Sequence, residues 1–239
     1  NWEKKISKKV LLVVIDDFNN IKHHCHVYIN YHLNWFKKKD FRYLTYNKCK
    51  KLIGPKFTII RDLKFKKKIK NKIKTIFIYM GGSDKKLLMM KLVRLFMNKK
   101  FDNFKKIFLL NKNHLKKTYI LKTLKNMPNT KVLKHKIKNF HKNIIDSDLS
   151  ISPAGITMLE LMALNSNNLI IPQNKTQKKI ANILKKASAI NFANNISTIN
   201  FKIILNLINR KKKNIKIINK MGKKIVFKEI ISQLKNFYA

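Results

Sequence analysis

Short apolar runs alternate with amphipathic segments along most of the chain. Short runs of three to six residues rich in Val, Ile, Leu and Phe are typical of strands buried in a parallel sheet. They predict strands at Val10–Ile15, Val27–Asn30, Phe57–Arg61, Thr75–Met80, Lys106–Leu110, Lys131–Leu133, Leu149–Ile151 and Asn168–Pro172. Helices are predicted at Leu87–Val93, Leu115–Leu124, Phe140–Ile145, Thr157–Leu164 and Gln177–Ala189, followed by a helical, basic remainder. This alternation predicts an α/β fold with a doubly wound parallel sheet and right-handed crossovers.

A lysine-rich segment separates the first three predicted strands from the rest. Residues 64–74 are mostly Lys and show no apolar periodicity, so they predict a linker. The linker divides the chain into residues 1–63 and residues 75–239. The second part carries enough alternating strands and helices for a complete Rossmann-like lobe.

The formal net charge of +44 does not by itself indicate a nucleic-acid partner. Nearly all of the positive charge is Lys spread along the chain, and Arg occurs only at Arg42, Arg61, Arg94 and Arg210. A surface selected to bind phosphate would use more Arg, because its planar guanidinium binds phosphate through two parallel hydrogen bonds. Abundant Lys, Asn and Ile are typical of an AT-rich genome, although the low count of 11 Asp and Glu is not explained in this way. We therefore do not expect nucleic acid to be the partner.

Three further features concern the compartment and the ends of the chain. No run of about 18 apolar residues occurs, so no transmembrane helix is predicted. The chain starts at Asn1 without Met or the apolar core of a signal peptide, which favours an incomplete chain. Cys25 and Cys49 form no disulfide framework and fit a reducing cytoplasm, where we expect the protein to lie.

Two small-residue turns each follow a predicted strand and lead into a predicted helix. They are Gly81–Asp84 and Ser152–Gly155, and Thr157 and Glu160 lie on the helix after the second turn. Amides at a helix start are unpaired and lie at the positive end of the helix dipole, so they favour an anionic ligand. Because parallel strands end at the same edge of a sheet, the two turns together favour one anion-binding crevice.

Each turn also has a plainer interpretation. Ser83 or Asp84 would simply cap the following helix. At the second turn, Ser152 or Thr157 would be the cap, and the spacing from Thr157 to Glu160 fits a capping box. The sequence leaves these alternatives open.

The order of these motifs resembles one enzyme family. The matching segments are Val14–Asp17, His23–Cys25, Tyr28–Asn30, Leu52–Pro55, Ile59–Arg61, Gly81–Asp84, Ser152-x-x-Gly155-x-Thr157-x-x-Glu160 and Gln177. They make residues 8–190 similar to the UDP-sugar hydrolases of pseudaminic acid biosynthesis, which remove UDP from a UDP-linked 2,4-diacetamido-2,4,6-trideoxy sugar. That family is related to the UDP-N-acetylglucosamine transferase of peptidoglycan assembly and shares its two-lobed GT-B fold.

The resemblance implies a GT-B-like fold and a substrate site. Residues 1–63 would be the carboxyl-terminal part of a first Rossmann-like lobe, 64–74 the hinge, and 75–239 the second, nucleotide-binding lobe. The diphosphate would be bound near Gly82 and Ser83 and at the turn that contains Ser152, Gly155, Ile156 and Thr157. Glu160 would bind the ribose hydroxyls, and Gln177 would lie near the sugar. The implied partner is a UDP-sugar, no cofactor is implied, and the oligomeric state stays open.

The chain departs from the family pattern at several positions. No segment matches the family's Gly-x-Gly-His, whose His is the proposed general base, so the catalytic residue is unknown and this segment would precede Asn1. His26 stands where an Asp is expected, Thr176 where an Asn is expected, and Ala154 where a Gly is expected. These departures predict that this chain binds nucleotide weakly and does not turn substrate over.

Other residue groups suggest different chemistry. His23–His26 contains three His and one Cys, but contiguous side chains cannot surround one Zn²⁺, so no metal site is predicted. Asp16 and Asp17 are either paired carboxylates for acid–base work or acceptors that close a turn.

Two functions other than UDP-sugar hydrolysis remain open from the sequence. A glycosyltransferase of the related GT-B family is the nearer one. A basic nucleic-acid or membrane-surface binder is the other, since aromatic residues interleave with basic ones over 35–43. Lys211–Lys213 together with Ile215, Ile217 and Ile218 would allow weak association with an anionic membrane surface.

Overall fold

The computed structural model describes residues 2–16, 20–32, 41–46, 48–60, 75–82, 84, 86–134, 140–186, 188–209 and 224–238. The strands are β1 (Val13–Ile15), β2 (Val27–Asn30), β3 (Lys50–Ile53), β4 (Thr75–Tyr79), β5 (Lys105–Leu110), β6 (Thr130–Lys134), β7 (Leu149–Ser152) and β8 (Asn168–Ile170). The helices are α1 (Trp2–Ile6), α2 (Leu88–Phe96), α3 (Lys117–Lys125), α4 (Phe140–Asp146), α5 (Ile156–Ala163), α6 (Lys175–Lys186), α7 (Phe201–Asn209) and α8 (Lys224–Tyr238).

The chain divides into two compact units. Residues 1–62 and 219–239 form unit 1, and residues 63–218 form unit 2. The boundaries expected from the sequence placed 219–239 with the second lobe instead. Within unit 1, α8 contacts the segment before β2, where the rings of His26 and Phe237 lie 4.7 Å apart. The expected linker at 64–74 lies outside the described residues.

Unit 1 contains a parallel sheet in the order β1-β2-β3. The strand β2 is fully buried, and its residue Val27 pairs with Val13 on one side and Lys50 on the other. A small core forms around Cys25, Tyr28 and Leu44.

Unit 2 contains a five-stranded parallel sheet in the order β6-β5-β4-β7-β8. From β4 the chain builds outward through β5 and β6, and then returns to place β7 on the other side of β4. Apolar residues of β4, β5 and β7 pack against α2 and α3 in one core that includes Ile78, Phe96 and Phe108. This is the doubly wound, Rossmann-like arrangement predicted from the alternating pattern.

One strand prediction in unit 1 was wrong, and another was too long. Phe57–Arg61 was predicted as the third strand, whereas Pro55–Phe57 form a 3₁₀ turn that begins after Gly54 at φ 109°. Thr58 Oγ1 donates to Pro55 O at 2.6 Å and closes that turn, and the third strand is β3 instead. The run Val10–Ile15 forms only the short strand β1, and its Ile15 is 56% exposed, so the predicted burial does not extend to the end of this strand.

Candidate functional site

The carboxyl ends of β4 and β7 define the candidate site. These strands are neighbours, run parallel, and mark the point where the strand order of the sheet reverses. In open α/β sheets this point leaves a crevice in which ligands bind. Both turns singled out in the sequence follow these two strands.

The two turns contact each other. Gly81 has φ 79°, and an added Cβ would lie 3.5 Å from Cγ of Pro153 in the second turn. Glycine suits this position because other residues are strained at such a φ. Gly82 O accepts a hydrogen bond from Nδ2 of Asn111, which directly follows β5. Gly82 is exposed, and Ser83 lies outside the described residues.

The first turn ends in a carboxylate that caps α2. Asp84 Oδ1 accepts from the amide of Leu88 at 2.9 Å, and Oδ2 accepts from the amide of Met89 at 2.6 Å. His114 Nε2 also lies 3.3 Å from Asp84 Oδ2, and both side chains are almost fully buried. The interpretation of Asp84 as a helix cap is therefore confirmed. The amides that begin α2 are already paired with the protein's own carboxylate.

The second turn is different, because α5 begins on Gly155. Among the described residues, no side chain accepts a hydrogen bond from the amides of Gly155, Ile156 or Thr157. Ser152 Oγ donates to Pro153 O at 3.2 Å instead of capping the helix. A Cβ added at Gly155 would meet nothing within 4 Å. The amino end of α5 thus faces open space with the positive end of its dipole.

The capping box is absent because Gly155 is the N-cap of α5, which places Thr157 inside the helix, and Glu160 has another partner. Its Oε1 lies 3.0 Å from Nε2 of His141 on α4, and the Glu160 side chain is 8% exposed. Phe140 packs edge-on against Tyr79 at the end of β4, with ring centroids 5.5 Å apart. Burial raises the pKa of Tyr79, and the negative charge of Glu160 raises it further. Glu160 therefore lies close to the carboxyl end of β4, one helical turn from the start of α5.

Gln177 lies at the start of α6, which follows β8. Its Oε1 accepts from the amide of Gln173 at 2.8 Å, and its own amide donates to Asn174 Oδ1 at 2.8 Å. Gln173 Nε2 in turn donates to Met80 O at 2.5 Å. Hydrogen bonds therefore connect the loop after β8 to the end of β4 beside Gly81.

The structure brings three further residues to this region that sequence reasoning missed. Asn111 and Gln173 are polar residues that closely follow strands, and that position was a usable signal because carboxyl ends of parallel strands meet at one edge. His141 gave no such signal, since its contact with Glu160 depends on how α4 packs beside α5.

The polar residues of unit 1 form a separate network. Glu3 Oε1 lies 2.8 Å from His23 Nδ1, and Glu3 Oε2 accepts from the amide of His24 at 2.9 Å. Asp16 accepts from the hydroxyl of Tyr28 at 3.0 Å, and Asp17 lies outside the described residues. Burial opposes ionisation of Glu3, but the hydrogen bonds from His23 and the His24 amide outweigh it and lower its pKa.

The contiguous histidines have different partners. His23 bonds Glu3, His24 stacks on Tyr46 at 4.3 Å, and His26 Nδ1 accepts from the amide of Leu12 at 3.0 Å. Within the part of the chain that the structure describes, no group of three or more His, Cys, Asp or Glu side chains is arranged to hold a metal ion. The basic segment 210–218 and most of the aromatic and basic segment 35–43 lie outside the described residues. None of the described helices is both long and apolar enough to cross a bilayer.

Comparisons with known proteins identify the fold. The sequence matches no protein-family model, and no curated protein matches it. The structure is similar to the crystal structure of MurG from Acinetobacter baumannii, with a TM-score of 0.55 and 13% sequence identity. The match covers 97% of this chain and 69% of the MurG chain. At this identity the similarity shows the fold alone, and the chain has a GT-B-like α/β fold with a Rossmann-like lobe.

Proposed function

We propose that unit 2 binds a UDP-sugar at the carboxyl ends of β4 and β7, and that the activity it serves is hydrolysis that releases UDP. The implied sugar is a 2,4-diacetamido-2,4,6-trideoxy hexose, as in the family that the motifs resemble. The GT-B-like fold supports a UDP-sugar-related function without distinguishing hydrolysis from transfer.

One observation carries the binding proposal. The helix α5 starts on Gly155 at the point where the strand order reverses, with open space above that residue and without a side-chain cap among the described residues. The helix α2 differs in this respect, because Asp84 already accepts hydrogen bonds from the first two amides of that helix. A diphosphate placed at α5 would accept hydrogen bonds from the amides of Gly155, Ile156 and Thr157 and would be stabilised by the helix dipole.

The other expected site residues take roles around that position. Gly82 offers exposed backbone beside the second turn, and Thr157 is partly exposed on the first turn of α5. Glu160 would accept hydrogen bonds from the ribose hydroxyls, with Oε1 oriented by His141. Gln177 would lie near the sugar. Ser152 is fully buried and donates to Pro153 O, so its role would be to shape the turn.

A glycosyltransferase is the second candidate, and the similarity to MurG is the observation that favours it. The two activities share the nucleotide site and differ in what attacks the sugar. Water attacks in the hydrolase, and a hydroxyl of an acceptor attacks in the transferase. The general base for either reaction is unknown.

Calorimetry tests the binding proposal. UDP should bind the chain more tightly than uridine does, because the diphosphate makes the contacts at α5. A Thr157→Val variant keeps the shape of the side chain but removes its hydroxyl, and it should bind UDP more weakly. If UDP does not bind at millimolar concentration, the proposed nucleotide site is wrong. Incubating the protein with a UDP-sugar, with and without an acceptor, would then separate hydrolysis from transfer.

A further inference from the structure

Two cysteines of unit 1 lie side by side. One residue separates Cys25 from the start of β2, and Cys49 directly precedes β3. The parallel pairing of these strands, in which Val27 is the partner of Lys50, brings their amino ends together. The two sulfur atoms are 3.3 Å apart, and both thiols are free.

The two thiols have different environments. Cys25 is fully buried in the core of unit 1, against Tyr28 and Leu44. Cys49 is partly exposed at the margin of that core. A hydrogen bond from Cys25 lowers the pKa of Cys49, while the same bond and burial raise the pKa of Cys25. Thiol–disulfide exchange begins with a thiolate that a reagent can reach, and Cys49 is both the more exposed thiol and the one whose pKa is lowered.

We propose that Cys25 and Cys49 are a redox-active pair that closes to a disulfide when the surrounding low-molecular-weight thiol pool is oxidised. The Cys49 thiolate attacks one sulfur of oxidised glutathione, forms a mixed disulfide and releases one glutathione thiolate. The Cys25 thiol then loses its proton and attacks the Cys49 sulfur, which releases the second glutathione. One glutathione disulfide is reduced to two glutathione thiols, and one protein dithiol is oxidised to a disulfide.

The geometry allows this closure with a small movement. A disulfide has a sulfur–sulfur distance of about 2.05 Å, so the two atoms must approach by roughly 1.3 Å. That movement is within the reach of side-chain rotation at a margin where Cys49 is partly exposed. The new bond would join the amino ends of β2 and β3 and restrain the segment between them, which should raise the thermal stability of unit 1.

The test treats the full chain with millimolar oxidised glutathione at pH 7.5, quenches with acid, and counts thiols by alkylation and intact mass. The wild-type chain should lose the mass of two hydrogen atoms and show an intramolecular disulfide, with a raised melting temperature that a reductant reverses. Two single variants separate the roles. Cys25→Ser should stop at a mixed disulfide on Cys49. Cys49→Ser should leave Cys25 reacting at least about ten-fold more slowly than Cys49 does in Cys25→Ser.

Three results would overturn the proposal. They are equal reactivity of the two single variants, a wild-type product that stops at mixed disulfides, and disulfides formed between chains. Circular dichroism of each variant and alkylation in urea establish that differences arise in the folded state. If the Ser variants do not fold, Cys→Ala variants at the same positions serve instead. Ala removes only the sulfur atom of the side chain and adds no polar group to the apolar core.

Discussion

Replacing Gly155 with Ala separates a role in ligand binding from a role in folding. The backbone at Gly155 has φ −112°, which an L-residue adopts without strain. Because an added Cβ meets nothing within 4 Å, the methyl group would enter the open space at the start of α5. Ala is a poorer residue than Gly at a helix start, but it also restricts the unfolded chain. These effects oppose each other, so we expect the free energy of unfolding to change by less than about 1 kcal/mol.

The expected effect on binding is larger than the effect on stability. A methyl group in that space keeps a phosphate oxygen from reaching the amides of α5. A hydrogen bond to a charged group contributes about 1.5–3 kcal/mol, so its loss raises Kd for UDP by about ten- to 150-fold. Binding of uridine, which lacks the diphosphate, should change little. Calorimetry with UDP and uridine measures both effects, and urea denaturation measures stability.

Gly81→Ala is the matched control for this substitution. Gly81 has φ 79°, and its new methyl would lie 3.5 Å from Pro153 Cγ. This variant should lose roughly 1–2 kcal/mol of stability through backbone strain. A role of the Gly155 position in binding phosphate is excluded if Gly155→Ala leaves the UDP affinity unchanged. It is also excluded if UDP and uridine weaken equally, because the loss would then not involve the phosphates.

Three further predictions concern single carboxylates. Glu160→Gln should raise Kd for UDP about ten-fold, and it should leave the affinity for a UDP analogue that lacks the ribose hydroxyls unchanged. Calorimetry measures both affinities, and an equal effect on the two ligands would argue against a contact between Glu160 and the ribose. Asp84→Ala should lower the free energy of unfolding by about 1–2 kcal/mol, since the amides of Leu88 and Met89 lose their acceptor. Asp84→Asn should lower it less, because one acceptor oxygen remains. If urea denaturation ranks the two variants the other way, Asp84 does not cap α2. The pKa of Glu3 is lowered on folding, so its stabilising contribution is complete above the unfolded-state pKa of about 4.3 and is lost as pH falls through the folded pKa. The free energy of unfolding of Glu3→Gln should therefore fall less steeply with falling pH in the acid range than that of the unsubstituted chain. Equal slopes for the two proteins would show that Glu3 contributes nothing to the acid dependence of stability.

The sequence predicted unit 2 better than unit 1, for physical reasons. The strands β4 and β5 contain apolar runs, over residues 76–78 and 107–110, that are buried, so composition alone marks them. In contrast, β3 has only two apolar residues, Leu52 and Ile53, and the apolar residues after Gly54 contribute Phe57 to the core from a turn. The position of α8 in unit 1 depends on contacts between residues far apart in sequence, such as the 2.9 Å ion pair of Lys50 with Glu229.

Within the candidate site, the sequence located the turns but not their partners. Gly81 and Gly155 were singled out because small residues between a strand and a helix allow close approach of a ligand. The spacing from Thr157 to Glu160 fits a capping box equally well. The structure rejects that alternative because α5 begins before Thr157, and Glu160 pairs with His141 instead. Asp84 shows the opposite outcome, since the plain interpretation as a cap was correct.

The central claim is that the amino end of α5 holds the diphosphate of a nucleotide. Titrating the ¹⁵N-labelled chain with UDP, while following the amide resonances, tests this most directly. We expect saturable shifts of the amides of Gly155, Ile156 and Thr157 that persist at about 0.3 M salt, where contacts with exposed lysines are screened. Shifts spread over lysine-rich surfaces that disappear with salt, with these three amides unmoved, would contradict it.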